Sequence, residues 1–403
     1  MAENMIAAFK TACRALVLPR RTGQADASDP ATPVVVAGMF RTGSGLGRAA
    51  TACVSAIRRH GVTVHAVDLS EALGQVDASA QIALSEMPET RSGTLILFAN
   101  PPEVIRALTV LGIRRWQDWR LIGAWAWELP KAPSQWRETS RFFSEVWVPS
   151  QFVADAVRPV SEAPVAVVPH HVPPPPPELL ESPWDEGQRP FTCLLMGDGR
   201  SSFHRKNVKE GLLMFRSAFP ERRDVKLIIK CRNTSESPQV RAELEALVAD
   251  DDRMSLLDET LDYDDMLRLM SRCDVLLSPH RAEGFGFGLA EAMSLGLAVV
   301  ATGWSGNLDF MPEGTSVLLP YTMETVEDPD RIYPTSRAVS WAKADMQAGV
   351  AALQFLHSDP EARRTLGRRA AEHIRKALDG SAYFRQLGWQ PSSAERNHSD
   401  AGT

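Results

Sequence analysis

The sequence has no pair of cysteines with the spacing of a metal site or a redox motif. Its 403 residues include 5 cysteines, at Cys13, Cys53, Cys193, Cys231 and Cys273. No two of them form a CxxC pair, which argues against both a zinc site and a disulfide framework. We therefore expect a protein of a reducing compartment, with the cytoplasm as the default.

A long hydrophobic run and a net positive charge are also missing. No apolar stretch approaches the roughly 20 residues that a membrane-spanning helix needs. The formal net charge of -6 gives no overall reason to expect nucleic-acid binding. Lys10 and Arg14 interrupt what would be a signal-peptide core. Residues 1–32 are either a basic amphipathic helix in peripheral contact with a membrane or an extension that is poorly ordered or docks on the core.

Length and hydrophobic content predict two globular domains. At 403 residues, of which 44% are hydrophobic, the chain exceeds the usual size of a single core. Five consecutive prolines, Pro173 to Pro177, indicate a semi-rigid linker over 173–190. A proline-rich docking ligand is the alternative. We predict a first Rossmann-like domain over 33–172, a second over 191–378, and a crossover segment with a polar tail over 379–403.

Buried-strand patterns alternate with helical patterns in both predicted domains. Candidate strands of the first domain lie at 33–37, 62–69, 94–99, 121–125, 146–149 and 165–168. Candidate strands of the second domain lie at 191–196, 225–231, 254–257, 274–278 and 298–302. This alternation is typical of an α/β fold with two doubly wound, Rossmann-like parallel sheets that face a cleft. Ligands of such folds bind at the carboxyl ends of the strands.

Two acids, Glu283 and Glu291, bracket a glycine-rich segment in the second domain. An apolar run precedes the segment and a helical composition follows it, so the glycines lie where a strand passes into a helix. Backbone amides at such a turn favour phosphate. From the rise per residue, the two acids lie within roughly 20 Å of each other, a span that a sugar nucleotide fits. Glycines that only permit close packing, with Glu291 favoured by the helix dipole, are the alternative.

This segment resembles the signature of two glutamates separated by seven residues in retaining GT-B glycosyltransferases, family 4 (glycosyl transferases group 1) in particular. The resemblance implies a GT-B fold and a nucleoside-diphosphate sugar as the donor substrate, with no further cofactor. It implies that Glu283 contacts the donor sugar, that Glu291 contacts the ribose hydroxyls, and that the loop amides lie near the diphosphate. The other residues that it assigns to donor binding are Gly284, Phe285, Gly286, Phe287 and Gly288.

A cluster of positive charge follows the first strand of the second domain. Residues 197–207 combine glycines, hydroxyl groups and cations at a strand end, where an anion is expected. In the resembling family an Arg and a Lys six residues apart neutralise the donor diphosphate, and Arg200 and Lys206 have that spacing. Preplaced cations of this kind stabilise the charge that develops on a leaving group. Arg205 competes for the role, and a solvated basic loop is the alternative.

The first domain offers weaker candidates in a glycine loop. Gly43, Gly45 and Gly47 do not fit the GxGxxG dinucleotide fingerprint, so we do not expect a nicotinamide cofactor. The resemblance places this loop beside the donor phosphates and the acceptor. A tight turn before a helix is an equally good interpretation.

Three further first-domain candidates, Trp125, Trp127 and Glu128, follow a predicted strand near the cleft. Many members of the resembling family have a His here that contacts the donor sugar. This sequence has none, which leaves Glu128 as its substitute. Aromatic rings beside a carboxylate suit stacking on a sugar, and simple packing is the alternative.

We predict no metal site. His170, His171 and His280 have no His or Cys partner at metal-ligand spacing, so we interpret them as structural. Asp262-Tyr-Asp264 forms a DxD pattern, but its position ahead of an apolar helical run predicts a helix start with acids at the positive end.

The hypothesis that unites these features is a retaining glycosyltransferase that moves a sugar to a hydroxyl of a glycan or lipid-linked acceptor. The resemblance suggests bacterial surface polysaccharide assembly, a same-face reaction in which the leaving phosphate accepts the proton, and no protein nucleophile. A nucleotide-sugar epimerase or phosphorylase of the same fold is one alternative. A non-catalytic protein that binds sugar nucleotides, or a scaffold, is the alternative from another class.

Overall fold

The structure is a computed structural model that describes residues 32–112, 118–180, 189–333 and 336–389. Three predicted segments lie wholly or largely outside these residues. They are the N-terminal helix or extension, the second half of the linker and the polar tail.

The first sheet has six parallel strands in the order β2-β1-β3-β4-β5-β6. The strands are β1 (Val34–Gly38), β2 (Val64–Asp68), β3 (Thr94–Phe98), β4 (Arg120–Ala124), β5 (Glu145–Val148) and β6 (Val165–Val167). The helices are α1 (Gly45–Arg59), α2 (Ser70–Leu73), α3 (Pro101–Val110), α4 (Trp136–Ser140) and α5 (Gln151–Val157). Strands β1 and β3 are buried along their whole length because helices cover both faces of the sheet.

The second sheet also has six parallel strands, in the order β12-β11-β10-β7-β8-β9. The strands are β7 (Phe191–Met196), β8 (Val225–Cys231), β9 (Met254–Asp258), β10 (Val275–Ser278), β11 (Ala298–Thr302) and β12 (Val317–Leu319). This is the doubly wound order in which the direction of winding reverses between β7 and β10. The loops after β7 and β10 therefore meet at the crevice where such sheets bind ligands.

Helices of the second half lie on both faces of this sheet and on the linker. They are α6 (Pro177–Leu180), α7 (Phe203–Lys206), α8 (Val208–Ala218), α9 (Pro238–Ala249), α10 (Tyr263–Ser271), α11 (Phe287–Ser294), α12 (Met346–Ser358), α13 (Pro360–Ala377) and α14 (Ser381–Leu387). The two parallel sheets with flanking helices confirm the predicted α/β, Rossmann-like fold of two domains. Within the described part of the chain, no helix combines the length and the apolarity needed to cross a membrane.

The last helix, α14, returns to the first domain, as predicted. Tyr383, Phe384 and Leu387 are buried in the core formed by α1 and the first sheet. The Arg120 guanidinium donates to the Gln386 carbonyl at 3.1 Å, and the Gln386 amide donates to Glu145 at 2.6 Å. The crossover thus ties the end of the chain to strands β4 and β5.

An antiparallel hairpin, which sequence analysis did not predict, follows the second sheet. It pairs β13 (Tyr321–Val326) with β14 (Ser336–Ala344). Val326 and Trp341 of the hairpin are buried against Ala282 of the second domain and Leu129 of the first. The hairpin therefore packs where the two domains meet.

Candidate active site

Glu283 lies in the loop after β10 and is 6% exposed. Its carboxylate accepts a hydrogen bond from the Lys206 ammonium at 2.5 Å and lies 3.2 Å from the Arg205 guanidinium. Its backbone N–H donates to the Ser305 hydroxyl at 2.8 Å. Cations on α7 and a hydroxyl after β11 thus fix this side chain and its backbone.

The environment of Glu283 keeps its carboxylate ionised. Burial alone would raise the pKa of this group, but Lys206, Arg205 and His280 more than offset it and lower the pKa to about 2. A carboxylate with such a pKa holds no proton at neutral pH. Glu283 is therefore suited to accept hydrogen bonds and unsuited to act as a general acid.

Arg205 is held on several sides by α7 and the Glu283 loop, with 2% of the residue exposed. Its guanidinium donates to the Ala282 carbonyl at 2.6 Å and to the Ser201 hydroxyl at 2.6 Å. Burial works against the charge, but Tyr333 and Glu283 raise the pKa of Arg205 above its ordinary value. The Nε atom has no hydrogen-bond partner among the described residues. Arg205 is thus a fixed cation with one N–H donor that is not used. This favours Arg205 over Arg200 as the arginine that would neutralise a diphosphate.

Arg200 lies at the edge of the cleft rather than beside Glu283. Its guanidinium contacts Asp77 of the first domain at 3.0 Å and Glu236 at 3.4 Å, and its side chain is 48% exposed. The six-residue spacing therefore brings Lys206, but not Arg200, into contact with Glu283. The role of Arg200 at a diphosphate stays a prediction.

The glycine loop of the first domain faces the basic edge of the second. The Gly43 N–H donates to Asp77 at 2.9 Å, and a Cβ at Gly43 would collide with the Arg232 guanidinium. Asp198 in turn holds Arg232 at 2.6 Å. Gly47 is closely packed within the first domain, whereas Gly45, the first residue of α1, has open space around it. Gly43 is the glycine of this loop that faces the second domain, through the side chain of Arg232.

The glycine loop of the second domain packs against the first domain. A Cβ at Gly284 would lie 2.5 Å from the Trp127 carbonyl oxygen, and the Ser150 hydroxyl donates to the Gly284 carbonyl at 2.6 Å. Gly286 has a φ of 100°, a value that favours glycine, and it precedes the first residue of α11. Added at Gly288, a Cβ would lie 3.3 Å from the flexible end of a methionine. In this loop Gly284 contacts the first domain, and Gly286 forms a turn with a backbone conformation that favours glycine.

The two phenylalanines of this loop point into packed surroundings. Phe285 is buried against Phe310, and its ring also contacts His170 and Phe287. The His170 ring stacks on Phe287 with centroids 4.9 Å apart. The side chain of Phe285 is therefore part of the core, which leaves only its backbone for the predicted donor contact.

Glu291 is the fifth residue of α11 and lies beyond the first turn, which contains no acid. This corrects the expectation of a first-turn position and removes the helix dipole as its main reason. The residue is 2% exposed, and its carboxylate contacts the guanidinium of Arg48 from α1. Arg48 lies over the rings of Tyr263 and Phe287, 5.4 and 5.1 Å from their centroids. Glu291 is thus engaged by the first domain.

The three candidates after β4 differ in their surroundings. Trp125 is buried in the first core against Trp136 and Phe143, which agrees with the packing alternative, and its contact with a ligand stays a prediction. Trp127 reaches the edge of the hairpin, where its ring lies 5.9 Å from that of Tyr333. Glu128 accepts a hydrogen bond from the Tyr333 hydroxyl at 2.7 Å.

The three histidines that we interpreted as structural, His170, His171 and His280, are buried. Burial lowers the pKa of His170 to about 3, and it also lowers the pKa of His280, whose ring lies 3.1 Å from the Asn307 carbonyl oxygen. Asp262 caps α10 by accepting from the Asp265 N–H at 2.8 Å, which confirms the predicted helix start. The described residues contain no group of three or more His, Cys, Asp and Glu side chains arranged to hold a metal.

Sequence analysis missed several residues that line this cleft, namely Arg48, Asp77, Lys230, Arg232 and Tyr333. Lys230 is the penultimate residue of the apolar strand β8, and its buried ammonium donates to the Glu259 carbonyl at 2.6 Å and to the Cys231 carbonyl at 3.0 Å. The sequence did indicate two of these residues. Lys230 is a lysine in an apolar strand, and Arg48 directly follows the first glycine loop. Asp77 and Tyr333 carried no such signal.

Comparison with known proteins identifies the fold and one region of the chain. Residues 193–329 match the model of the family described as Glycosyl transferases group 1. No curated protein matches the chain by sequence. The matched region contains Arg200, Arg205, Lys206, Glu283 and Glu291.

Three solved structures illustrate the similarity of fold. Sucrose-phosphate synthase from Thermosynechococcus elongatus has a TM-score of 0.60 at 15% identity and covers 92% of this chain and 100% of its own. HepE from Anabaena, in complex with UDP-glucose, has a TM-score of 0.59 at 16% identity. The match covers 91% of this chain and 100% of the HepE chain. A TarM variant from S. aureus, in complex with fondaparinux, alpha-GlcNAc-glycerol and UDP, has a TM-score of 0.52 at 12% identity. The match covers 73% of this chain and 55% of the TarM chain. The chain has the GT-B fold of these proteins.

Proposed function

We propose that the protein is a retaining glycosyltransferase that moves a sugar from a nucleoside-diphosphate sugar to a hydroxyl of a glycan or lipid-linked acceptor. The observation that carries the proposal is the ionised Glu283, which two cations of α7 hold at the point where the winding of the second sheet reverses. A carboxylate accepts hydrogen bonds from sugar hydroxyls, and cations attract the anionic oxygens of a diphosphate. The two kinds of group at this point therefore match the two ends of a nucleoside-diphosphate sugar.

In this proposal the donor lies along the second domain. The sugar hydroxyls donate to Glu283, and Lys206 and Arg205 face the diphosphate together with the backbone amides at the start of α11. Glu291, eight positions further along the chain, accepts hydrogen bonds from the ribose. The complexes of HepE with UDP-glucose and of TarM with UDP support this class of donor.

The chemistry follows from charge. The acceptor oxygen forms a bond to the anomeric carbon on the face from which the diphosphate departs, and the bond from that carbon to the phosphate oxygen breaks. The departing phosphate oxygen takes the proton of the acceptor hydroxyl, so atoms and charge balance without a protein nucleophile. Lys206 and Arg205 stabilise the negative charge that gathers on the diphosphate, a task that other transferases give to a metal ion.

The acceptor class and the cellular setting belong to the same proposal. The alpha-GlcNAc-glycerol bound to TarM supports a hydroxyl acceptor on a glycan or a glycan-like polymer. We infer that the reaction needs no metal ion and serves surface polysaccharide assembly on the cytoplasmic side of a membrane.

The proposal is tested by product formation with defined donors. UDP-glucose and GDP-mannose are each incubated with octyl glucoside, octyl galactoside and octyl mannoside, and both nucleotide release and glycoside product are measured. We expect transfer by the wild type and, for Lys206→Ala, a loss of about 100- to 1000-fold in turnover. Glu283→Gln should lose transfer to a similar degree because the amide cannot replace a charged acceptor.

The matched control is Lys209→Ala, since Lys209 is exposed three positions away and pairs with Glu243 at 2.9 Å. It should leave turnover unchanged, and circular dichroism should show all three variants folded. Undiminished turnover in both Lys206→Ala and Glu283→Gln would refute the proposal. An altered sugar nucleotide in the absence of any glycoside would instead identify an epimerase.

A further inference from the structure

The antiparallel hairpin brings one side chain into the active-site cleft. Tyr333 lies in the loop between β13 and β14, four residues after the end of the family match at 329. It is 5% exposed, and its ring packs with Trp341 of β14, Leu129 of the first domain and Ala282 next to Glu283. The hairpin is therefore a third structural part of the cleft, in addition to the two sheets.

The loop that carries Tyr333 is fixed to the helix that carries the cations. Asp328 accepts hydrogen bonds from the N–H groups of Ile332 at 3.0 Å and Tyr333 at 2.9 Å. The Ser202 hydroxyl donates to Asp328 at 2.7 Å and also caps α7 by accepting from the Arg205 N–H at 3.0 Å. One hydroxyl thus sets the position of Tyr333 relative to Arg205.

Tyr333 connects this cation helix to a carboxylate of the other domain. Its hydroxyl donates to one oxygen of Glu128 at 2.7 Å, and the Arg205 guanidinium lies 6.0 Å from the centre of its ring. Arg205 is the group that contacts Glu283 at 3.2 Å. Glu128 and Glu283 are therefore held on opposite walls of one cleft by a continuous series of contacts.

Glu128 keeps capacity to bind a ligand. Tyr333 is the one described residue that donates a hydrogen bond to its carboxylate, and that bond uses one oxygen. Each carboxylate oxygen accepts up to two hydrogen bonds. The residue is half-buried, and neither of its carboxylate oxygens is among the buried polar atoms that lack a hydrogen-bond partner.

We propose that Glu128 binds a hydroxyl of the acceptor that does not itself react and that Tyr333 positions Glu128 for this contact. The inference rests on the proposed glycosyl transfer and adds the residues that hold the second substrate. The hydroxyl that reacts keeps its own proton for the departing phosphate oxygen. Tyr333 acts only through Glu128, because its own hydroxyl already donates to the carboxylate.

The test compares donor binding with use of the acceptor. UDP affinity is measured by calorimetry, and kcat and KM are measured with the donor and octyl glycoside that the wild type uses. We expect Glu128→Gln to lower acceptor kcat/KM by about 10- to 100-fold, the loss of one hydrogen bond to a charged group. Tyr333→Phe should lower it by about 5- to 10-fold, because Glu128 keeps its charge and loses only the hydrogen bond that positions it.

Three further results decide the inference. UDP affinity should stay within about twofold of the wild type in both variants, since neither residue contacts the nucleotide in this proposal. Glu128→Gln/Tyr333→Phe should be no worse than Glu128→Gln alone, because Tyr333 acts through Glu128. Tyr321→Phe, on the same hairpin and 40% exposed, should have no effect.

Other outcomes overturn the inference in distinguishable ways. Additive losses, or equal losses of UDP affinity and acceptor use, would show that the pair only supports the fold. Unchanged acceptor kcat/KM in Glu128→Gln would remove Glu128 from the acceptor site while the glycosyltransferase proposal stands. A wild type that transfers no sugar and releases no nucleotide from either donor would refute the proposed function itself.

Discussion

Glu283 and Glu291 flank the same glycine loop, yet their positively charged partners come from different domains. Glu283 is paired by Lys206 and Arg205, both on helix α7 of its own domain. Glu291 is contacted by Arg48, which belongs to helix α1 of the first domain. Both carboxylates are buried. They differ in whether the cation that neutralises the charge belongs to the same domain or to the other one.

The difference separates a site that is preformed from one that depends on the closure of two domains. The environment of Glu283 exists whenever the second domain is folded, because every group that fixes it follows β7, β10 or β11. The contact between Glu291 and Arg48 exists only while α1 lies against α11. Arg48 contacts one oxygen of Glu291 and leaves the other without a hydrogen-bond partner among the described residues, whereas both oxygens of Glu283 face a cation.

The largest effect is expected at Glu291 itself. Glu291→Gln keeps the shape but removes the charge that accepts from the ribose, and hydrogen bonds to charged groups contribute about 1.5–3 kcal/mol. Affinity for UDP or GDP, measured by calorimetry, should fall by about 10- to 100-fold. Glu243→Gln, a change in an exposed ion pair, is the control. An unchanged affinity would remove Glu291 from the nucleotide site.

A smaller effect of opposite sign is expected at Arg48. If Arg48 competes with the ribose, Arg48→Ala frees Glu291 and tightens nucleotide binding. We expect a gain in affinity of about fivefold, which corresponds to about 1 kcal/mol. Arg48→Lys should fall between alanine and the wild type, because a lysine keeps the charge but not the planar contact with Tyr263 and Phe287. Weaker binding in Arg48→Ala would identify Arg48 as a ligand of the donor instead.

The contrast between the two glutamates also shows what sequence analysis can reach. The strands 191–196, 225–231 and 298–302 were predicted with their observed bounds because each is a continuous apolar run between loops. Glu283, Lys206 and their loop were predicted because strand ends and glycines are local signals. Local signals of this kind place a residue at an edge of a sheet, and that edge is where the fold binds ligands.

Contacts between domains have no local signal, and there the predictions were incomplete. Arg48 and Asp77 reach the second domain only because α14 and the glycine loops bring the two sheets together. The spacing that selected Arg200 did not show that Asp77 would bind it, and Trp125 looked like a cleft residue because nothing in the sequence indicates which way its ring points. The hairpin was missed because residues 327–335 separate its two strands and because Leu129 and Ala282, far away in the sequence, complete its buried face.

The smallest expected effect concerns the acid sensitivity of the preformed site. The pKa of Glu283, about 2, lies below the roughly 4.3 of an unfolded glutamate, so its ion pairs stabilise the fold fully above pH 4.3 and lose that effect as the pH falls toward 2. Lys206→Met removes one of the cations that lower this pKa, and the pKa therefore rises. The difference in urea midpoint between wild type and Lys206→Met should be constant from pH 7 to about pH 5 and should shrink below about pH 4. The same difference at pH 3 as at pH 7 would show that Lys206 stabilises the fold through its packing and not through Glu283.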